Sequence, residues 1–530
     1  MKSYLPFWGV GFFFLLGGLL LLARLDTYAL WDDEAGTALH GIAVYQTGDT
    51  GALVGNNLVA FRNGVALKGL KDRTVSPLQY YFCAPFIGIW QTSSFWARLP
   101  FALAGILSFL LLAFWIFSSE SAPTEKTVYC LGFLLCAPLF LYFRQCRYYS
   151  LVLFFEILAL YLYFHKKRPL LRLILLNISI FGLLASNYLA GFALIGVLAI
   201  DYLGWGRKEN PFPLKMIYFS GLFQIICGAL LLSIWNPFGT GWGAYIHERG
   251  LTFAQRGQLL LWHFRDCFRA EFLGFLPCLL AMYLCVRRRD RLLMRSLVAV
   301  GVIVLLTTIV SPQVGLETTG TADIRYVISI IPLGVFIGAR VVVVLAQKRL
   351  LWLIAGIFLF QFTNLVNPFR IDRGQGPSTI IGFIRELFSP VGNPYRMTAD
   401  WISINVPKQA SVWVLPDYAC YPLMFHAPGA IYAWQLLPEQ KQEEQFKNLP
   451  DIHFKGLVPP DFIVVFGPSV EQVRQLMSQW SLQGLRYQEV TRLMTFWKDL
   501  YRPELFWRTF KPIENFDPNT EAIYIFQRQS

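Results

Sequence analysis

The sequence predicts a polytopic α-helical membrane protein of about eleven spans, with an exoplasmic α/β domain at its C-terminal end. Three observations carry that prediction. Composition comes first: 55% of the 530 residues are hydrophobic and 15% charged, the mean hydropathy is +0.46, and 46 Phe with 16 Trp suit interfacial aromatic belts. Apolar runs close to span length then recur as far as residue 366. Beyond residue 367 charge and Pro increase, and the apolar runs shorten to strand length. The net charge of +13 does not indicate nucleic acid. Its basic residues lie in short clusters between apolar runs, as in cytoplasmic loops, and no basic face of a soluble domain stands out.

The first candidate span, 5–23, follows Lys2, contains Gly17-Gly18 and lacks a small-x-small cleavage site. It is expected to be a retained span rather than a signal peptide. Directly after it comes Trp31-Asp32-Asp33-Glu34-Ala35. Carboxylates beside hydrocarbon are costly unless they meet water or a partner, so this stretch needs a reason. Further spans are expected at 98–117, 127–143, 148–164, 171–187, 188–204, 214–235, 271–286, 292–310, 325–345 and 349–366.

The stretch Pro77 to Trp90 is apolar but short, and it carries Gln79, Tyr80, Tyr81 and Pro85. Charge parity decides its status. With a cytoplasmic N-terminus and 77–90 not crossing, the clusters His165-Lys166-Lys167-Arg168, Arg207-Lys208, Arg287-Arg288-Arg289 with Arg291, and Lys348-Arg349 all face the cytoplasm. If 77–90 crossed, all would face outward. It is therefore expected to lie as a helix in the outer interface. The segments Arg24–Ala97, Arg144–Arg147, Trp235–Ala270, Ser311–Ile324 and the C-terminal part then share the exoplasmic side.

The chain is expected to divide into a transmembrane catalytic domain, 1–366, and an exoplasmic α/β domain, 367–530. In the latter, 411–415, 461–466 and 522–526 read as strands, and 470–480 has helical spacing. The nine cysteines show no paired spacing, and most lie in apolar segments, where Cys acts as a small hydrophobe.

Four motifs give a more specific signal. They are Asp33-Glu34, Ser76-Pro77-Leu78-Gln79-Tyr80-Tyr81, Ala97-Arg98-Leu99-Pro100 and Arg147-Tyr148-Tyr149-Ser150-Leu151. With these the chain resembles the GT-C superfamily of integral-membrane glycosyltransferases, within it the protein O-mannosyltransferase and lipid A aminoarabinose transferase group. The resemblance covers the first half well and extends more loosely to the loop before 325–345. It implies a GT-C fold with interfacial helices in the first external loop. It also implies an enzyme that moves a sugar from a polyprenyl phosphate to an acceptor hydroxyl outside the plasma (inner) membrane. Two departures stand out. Ser76 occupies a place where relatives often have a basic residue, for which Arg73 is the substitute, and Arg144 and Arg147 stand near where the lipid A enzyme has an Asp.

The chemistry requires a base for the acceptor proton and cations for the departing phosphate. The family's Asp-Glu pair makes Asp33 the candidate base, with Glu34 orienting it or binding a sugar hydroxyl. Adjacent carboxylates raise one another's pKa, which suits a base near neutrality. Arg144, Arg147 and Arg325 are the phosphate candidates, because the guanidinium fork matches phosphate oxygens. Tyr148, Tyr149, Tyr326 and Asp323 accompany them, and Asp323 is also a natural ion-pair partner of Arg325. His247 lies in an aromatic-rich loop with Trp242 and Tyr245. His247-Glu248 has no second pair at metal-ligand spacing, so no metal ligands are assigned and a divalent cation is left open. The expected partners are a polyprenyl-phosphate sugar, membrane lipid and a glycan, lipid or protein acceptor. The alternatives are a polysaccharide polymerase or ligase using a lipid diphosphate, a secondary transporter, and a binding protein with an inactive core.

Overall fold

The computed structural model describes residues 5–529 except 91–92, 120, 166–168, 210–212, 315, 317–319, 347–378, 391, 496–516 and 518–520. The expected span 349–366 and the 366/367 boundary therefore lie outside the described residues. The described chain forms two compact units. One comprises 1–23, 101–233 and 246–388; the other comprises 24–100, 234–245 and 389–530.

The first unit is helical. Among the described residues, Ser94–Ser118, Pro169–Ser186, Tyr188–Glu209, Lys215–Gly239 and Arg291–Val310 are each long and apolar enough to cross a bilayer. Pro123–Leu134 and Ala137–Phe143 make a sixth crossing if taken as one span bent by 55°. Pro138, at the start of its second half, offers no backbone N–H to continue the first. Thus five or six spans qualify by length, against about eleven expected. Several expected spans are shorter helices. Tyr149–Phe164 has 16 residues and would reach about 24 Å, short of a hydrocarbon layer of about 30 Å. The chain is a multi-pass membrane protein.

Close helix contacts in this unit depend on residue size. Phe109 stacks on Phe140 at 5.3 Å, and a Cβ on Gly105 would stand 2.8 Å from Phe143. The turn between Pro169–Ser186 and Tyr188–Asp201 is capped by Asn187, whose side-chain oxygen accepts the Ala190 N–H at 3.0 Å. One buried charge in the unit is well paired. Arg295 binds both oxygens of Asp201 at 2.6 Å, and the Tyr163 hydroxyl donates to the same carboxylate at 2.8 Å.

The second unit joins the first loop to the C-terminal part. Its five-stranded mixed sheet runs in the order 431–432, 411–415, 462–466, 523–528, 487–493. The first three strands are parallel, and the other pairings are antiparallel. Phe462–Phe466 is buried throughout, as a central strand covered on both faces requires. Helix Val470–Leu482 buries Val470 and Val473 against Trp413, Ile463, Val465 and Tyr524. The three strands and the helix read from the sequence are present. The strands 431–432 and 487–493 were not anticipated: the first is two residues long, and the second is only partly buried.

The first loop does not form a layer of its own. Ala52, Leu58, Ala60 and Leu67 share one core with Leu436, Phe446, Leu449 and Phe454. Asn57 donates to the Ala430 carbonyl at 3.0 Å and accepts the Tyr432 N–H at 2.8 Å. The loop thus belongs with the C-terminal part rather than with a 1–366 domain, because its apolar residues find their cover there. Its two long helices, Asp32–Thr47 and Leu78–Trp90, pack closely. A Cβ on Gly41 would lie 2.5 Å from the Cys83 sulfur, and one on Gly88 would lie 2.1 Å from the Tyr45 ring. The 13 residues of Leu78–Trp90 extend about 20 Å, too short to cross. The expected helix at 77–90 is there.

Candidate active site

Asp32, Asp33 and Glu34 form the first turn of the Asp32–Thr47 helix. Three carboxylates suit a helix N-terminus, where the unpaired N–H groups present partial positive charge. Gly48 closes the other end at φ 77°, its N–H bonded to the Val44 carbonyl. The three acids have different surroundings. Asp32 and Asp33 are partly exposed, whereas Glu34 is completely buried. Asp32 accepts the Asp33 N–H at 2.9 Å, and the Thr37 hydroxyl donates to the Asp33 carbonyl at 2.9 Å.

Glu34 is engaged from two sides. Its Oε2 accepts the Trp31 N–H at 3.3 Å, the backbone arm of a capping box. Arg98 grips both oxygens, Nε to Oε1 at 2.9 Å and Nη2 to Oε2 at 2.5 Å. Arg98 also donates to the carbonyls of Leu25, Tyr28 and Ala29 at 3.0, 2.8 and 3.0 Å. Neither side chain has any solvent exposure. A buried ion pair persists only when its remaining donors are also satisfied, as here. Both Glu34 oxygens are thus held by Arg98 at the first turn of the helix that carries Asp33.

Arg98 was legible only as part of a span-opening motif and had no place among the candidate site residues. A guanidinium in the apolar run 95–104 does, however, demand an anionic partner, and that was the available signal. The sequence carried no corresponding signal for His426, whose Nε2 accepts the Leu30 N–H at 3.1 Å.

Arg73 is bound within the loop. It forms two 2.8 Å bonds to Asp49 and lies 5.3 Å over the Trp235 ring. Burial works to raise the Asp49 carboxyl, but hydrogen bonds from Arg73, Lys71 and the Thr50 amide outweigh it and hold the group well below the ordinary carboxylate value. The Ser76 motif is likewise internal: Ser76 and Gln79 are buried, and the Tyr80 hydroxyl donates to Asp72 at 2.7 Å. Trp242 and Tyr245 stack at 5.4 Å with the Arg62 guanidinium 5.3 and 5.0 Å from their rings. His247 is exposed. Among the described residues no group of three or more His, Cys, Asp or Glu is placed to hold a metal ion.

The helical unit brings together most of the remaining candidates. Arg147 lies 5.4 Å over the Tyr148 ring, and Arg325 lies 5.6 Å over Tyr326 while its Nε donates to Asp323 at 2.9 Å. The Tyr148 hydroxyl is within electrostatic reach of Arg325, Tyr326, Arg147 and Asp323. Tyr149 packs edge-on against Tyr148 at 4.7 Å and is fully buried. Arg144 is more enclosed, at 3% exposure; it donates to the Leu20 carbonyl at 2.9 Å and lies over Phe383. Arg147 and Arg325 are thus the partly exposed cations of this cluster.

Two cationic forks flanked by tyrosines can bind a phosphate, and a half-exposed carboxylate at a helix N-terminus can accept a proton. The comparisons bear on the fold. The chain is similar in fold to solved structures. It is similar to the crystal structure of ArnT from Cupriavidus metallidurans in the apo state, at TM-score 0.58 and 13% identity, covering 99% of this chain and 98% of that one. The same protein bound to undecaprenyl phosphate matches at TM-score 0.58 and 12% identity, with 98% and 97% covered. An oligosaccharyltransferase from Archaeoglobus fulgidus, tethered to an acceptor peptide, matches at TM-score 0.48 and 12% identity over 89% of this chain and 70% of that one. No protein-family model and no curated protein matches the chain.

Proposed function

We propose that the chain is an inverting glycosyltransferase that moves a sugar from a polyprenyl phosphate to an acceptor hydroxyl on the exoplasmic face of the plasma membrane. The observation that supports this most is the end-to-end likeness in fold to a protein solved with undecaprenyl phosphate bound. Fold alone does not fix function, so the reading also assigns roles to particular side chains. It keeps the topology of about eleven spans, with 77–90 in the outer interface, which places every basic cluster on the cytoplasmic side.

In the proposed step the acceptor oxygen attacks the anomeric carbon as the bond from that carbon to the phosphate oxygen breaks. Asp33 takes the hydroxyl proton, and polyprenyl phosphate leaves with the bonding electron pair. Glu34, held by Arg98, fixes the helix turn from which Asp33 projects. Arg147 and Arg325 stabilise the charge that grows on the phosphate, with Asp323 orienting Arg325. Tyr148 and Tyr326 line the same cluster, and Arg144 and Tyr149 support it from the buried side. Arg73 acts at most through the loop that it orders, and His247 has no assigned role in the step. The acceptor class is a glycan, lipid or protein hydroxyl of the cell envelope.

The test is transfer or release of sugar from short-chain polyprenyl-phosphate sugars by purified protein in detergent. Asp33→Asn should reduce turnover about 10²- to 10⁴-fold, the range of a lost general base, with donor binding retained. Equal turnover by variant and wild type would remove Asp33 from this role.

A further inference from the structure

His426 comes almost four hundred residues after the carboxylates, at the end of the short helix Cys420–His426. That helix packs against Asp32–Thr47, and Tyr421 on it is within electrostatic reach of Asp32. The Leu30 N–H that His426 accepts belongs to a fully buried residue two positions before the carboxylate helix. Ser94 Oγ stands 3.4 Å from the same ring nitrogen and can donate to it as well. Only an unprotonated Nε2 can accept these bonds, which fixes the imidazole as the neutral form with its proton on Nδ1.

The segment 25–31 is therefore held at two kinds of backbone group. Arg98 takes its carbonyls at Leu25, Tyr28 and Ala29, and His426 takes its amide at Leu30. A buried amide without an acceptor carries a penalty of about 1–3 kcal/mol, which the segment would relieve by moving. A displacement of about 1 Å at a reacting group is enough to lower a rate about a hundredfold.

We propose that His426 is a positioning residue for sugar transfer: through this imidazole, the C-terminal part of the chain sets the start of the helix that carries Asp33. The inference rests on Asp33 being the base and gives the C-terminal part a defined task in the reaction. It also distinguishes His426 from a residue that merely fills space, because the task needs an acceptor atom at one position.

The test uses the full-length protein in detergent with a polyprenyl-phosphate sugar. His426→Phe should lower kcat about tenfold or more while the donor KM stays within about twofold. His426→Gln, which can offer Oε1 to the Leu30 amide, should recover most of that loss. Hydrogen exchange supplies a readout independent of turnover: peptides covering 28–34 should exchange faster in His426→Phe than in wild type or His426→Gln. Wild-type kcat in His426→Phe despite faster exchange would overturn the proposal. Equal losses of kcat and melting temperature in both variants would also overturn it, leaving a structural role only. If Asp33→Asn turned over normally, the base assignment would fail and the positioning role with it, while exchange at Leu30 would still report the hydrogen bond itself.

Discussion

Removing the Arg98 guanidinium would take from the Glu34 carboxylate, in a site with no access to water, the cation that binds both its oxygens. Losing one partner of a buried pair typically destabilises a protein by about 3–5 kcal/mol. Arg98→Met is therefore expected to lower the unfolding midpoint strongly, and Glu34→Gln in the same chain to recover part of the loss. A thermal or denaturant melt of both variants checks this; an Arg98→Met protein as stable as wild type would exclude the anchoring role. His426 gives a pH dependence. Burial first, then Arg396 and Arg98, push its imidazole down to about 3 from an ordinary 6.5. Between those values the unfolded chain binds a proton that the folded chain does not, so stability falls as pH drops below 6.5. Relative to His426→Gln, wild type should lose about 1.4 kcal/mol per pH unit between pH 4 and 6. Parallel stability curves for the two proteins would show that His426 is not held neutral.

At the scale of elements, Asp33, the proposed base, rides on one helix of a tightly packed pair. The Gly41 contact with Cys83 leaves no room for a methyl group. Gly41→Ala should separate Asp32–Thr47 from Leu78–Trp90 and destabilise by about 1–3 kcal/mol, as overpacked cores do. Cys83→Ala in the same chain should restore much of the loss, measurable as recovery of both melting temperature and transfer. If the double variant were no better than the single, the contact would not be what limits helix approach. The helix pair was partly legible beforehand. Charge parity predicted a helix at 77–90 that does not cross. Its partner was not, because Gly41 and Cys83 are ordinary residues until the two helices meet.

At the scale of the whole molecule, the first loop and the C-terminal part share a core. Deleting residues after Phe388 would remove Leu436, Phe446, Leu449 and Phe454 and uncover Leu58 and Leu67. The truncated chain should lose transfer and become sensitive to limited proteolysis within 48–75. Retained protease resistance would show that the loop folds without that cover. The same shared core explains why a division near residue 366, read from composition, differs from the compact units observed. Composition reports what solvent each stretch suits, whereas units are set by which apolar surfaces cover one another.

The sequence by itself determined the membrane class, most helix positions, the main strands of the sheet and the stretch where the carboxylates stand. Those follow from local rules: apolar run length, period and turn residues act within a few neighbours. It also singled out Arg147, Tyr148, Asp323, Arg325 and Tyr326, among which the structure sets Arg147 over Tyr148, Arg325 over Tyr326 and Arg325 against Asp323. Only the tertiary structure separated Asp33 from Glu34, closed Arg73 onto Asp49, and brought Arg98 and His426 to the backbone before the carboxylate helix. The reason is physical. Whether a charged group faces water or a partner depends on residues tens to hundreds of positions away, and burial decides which of two adjacent carboxylates is left able to react.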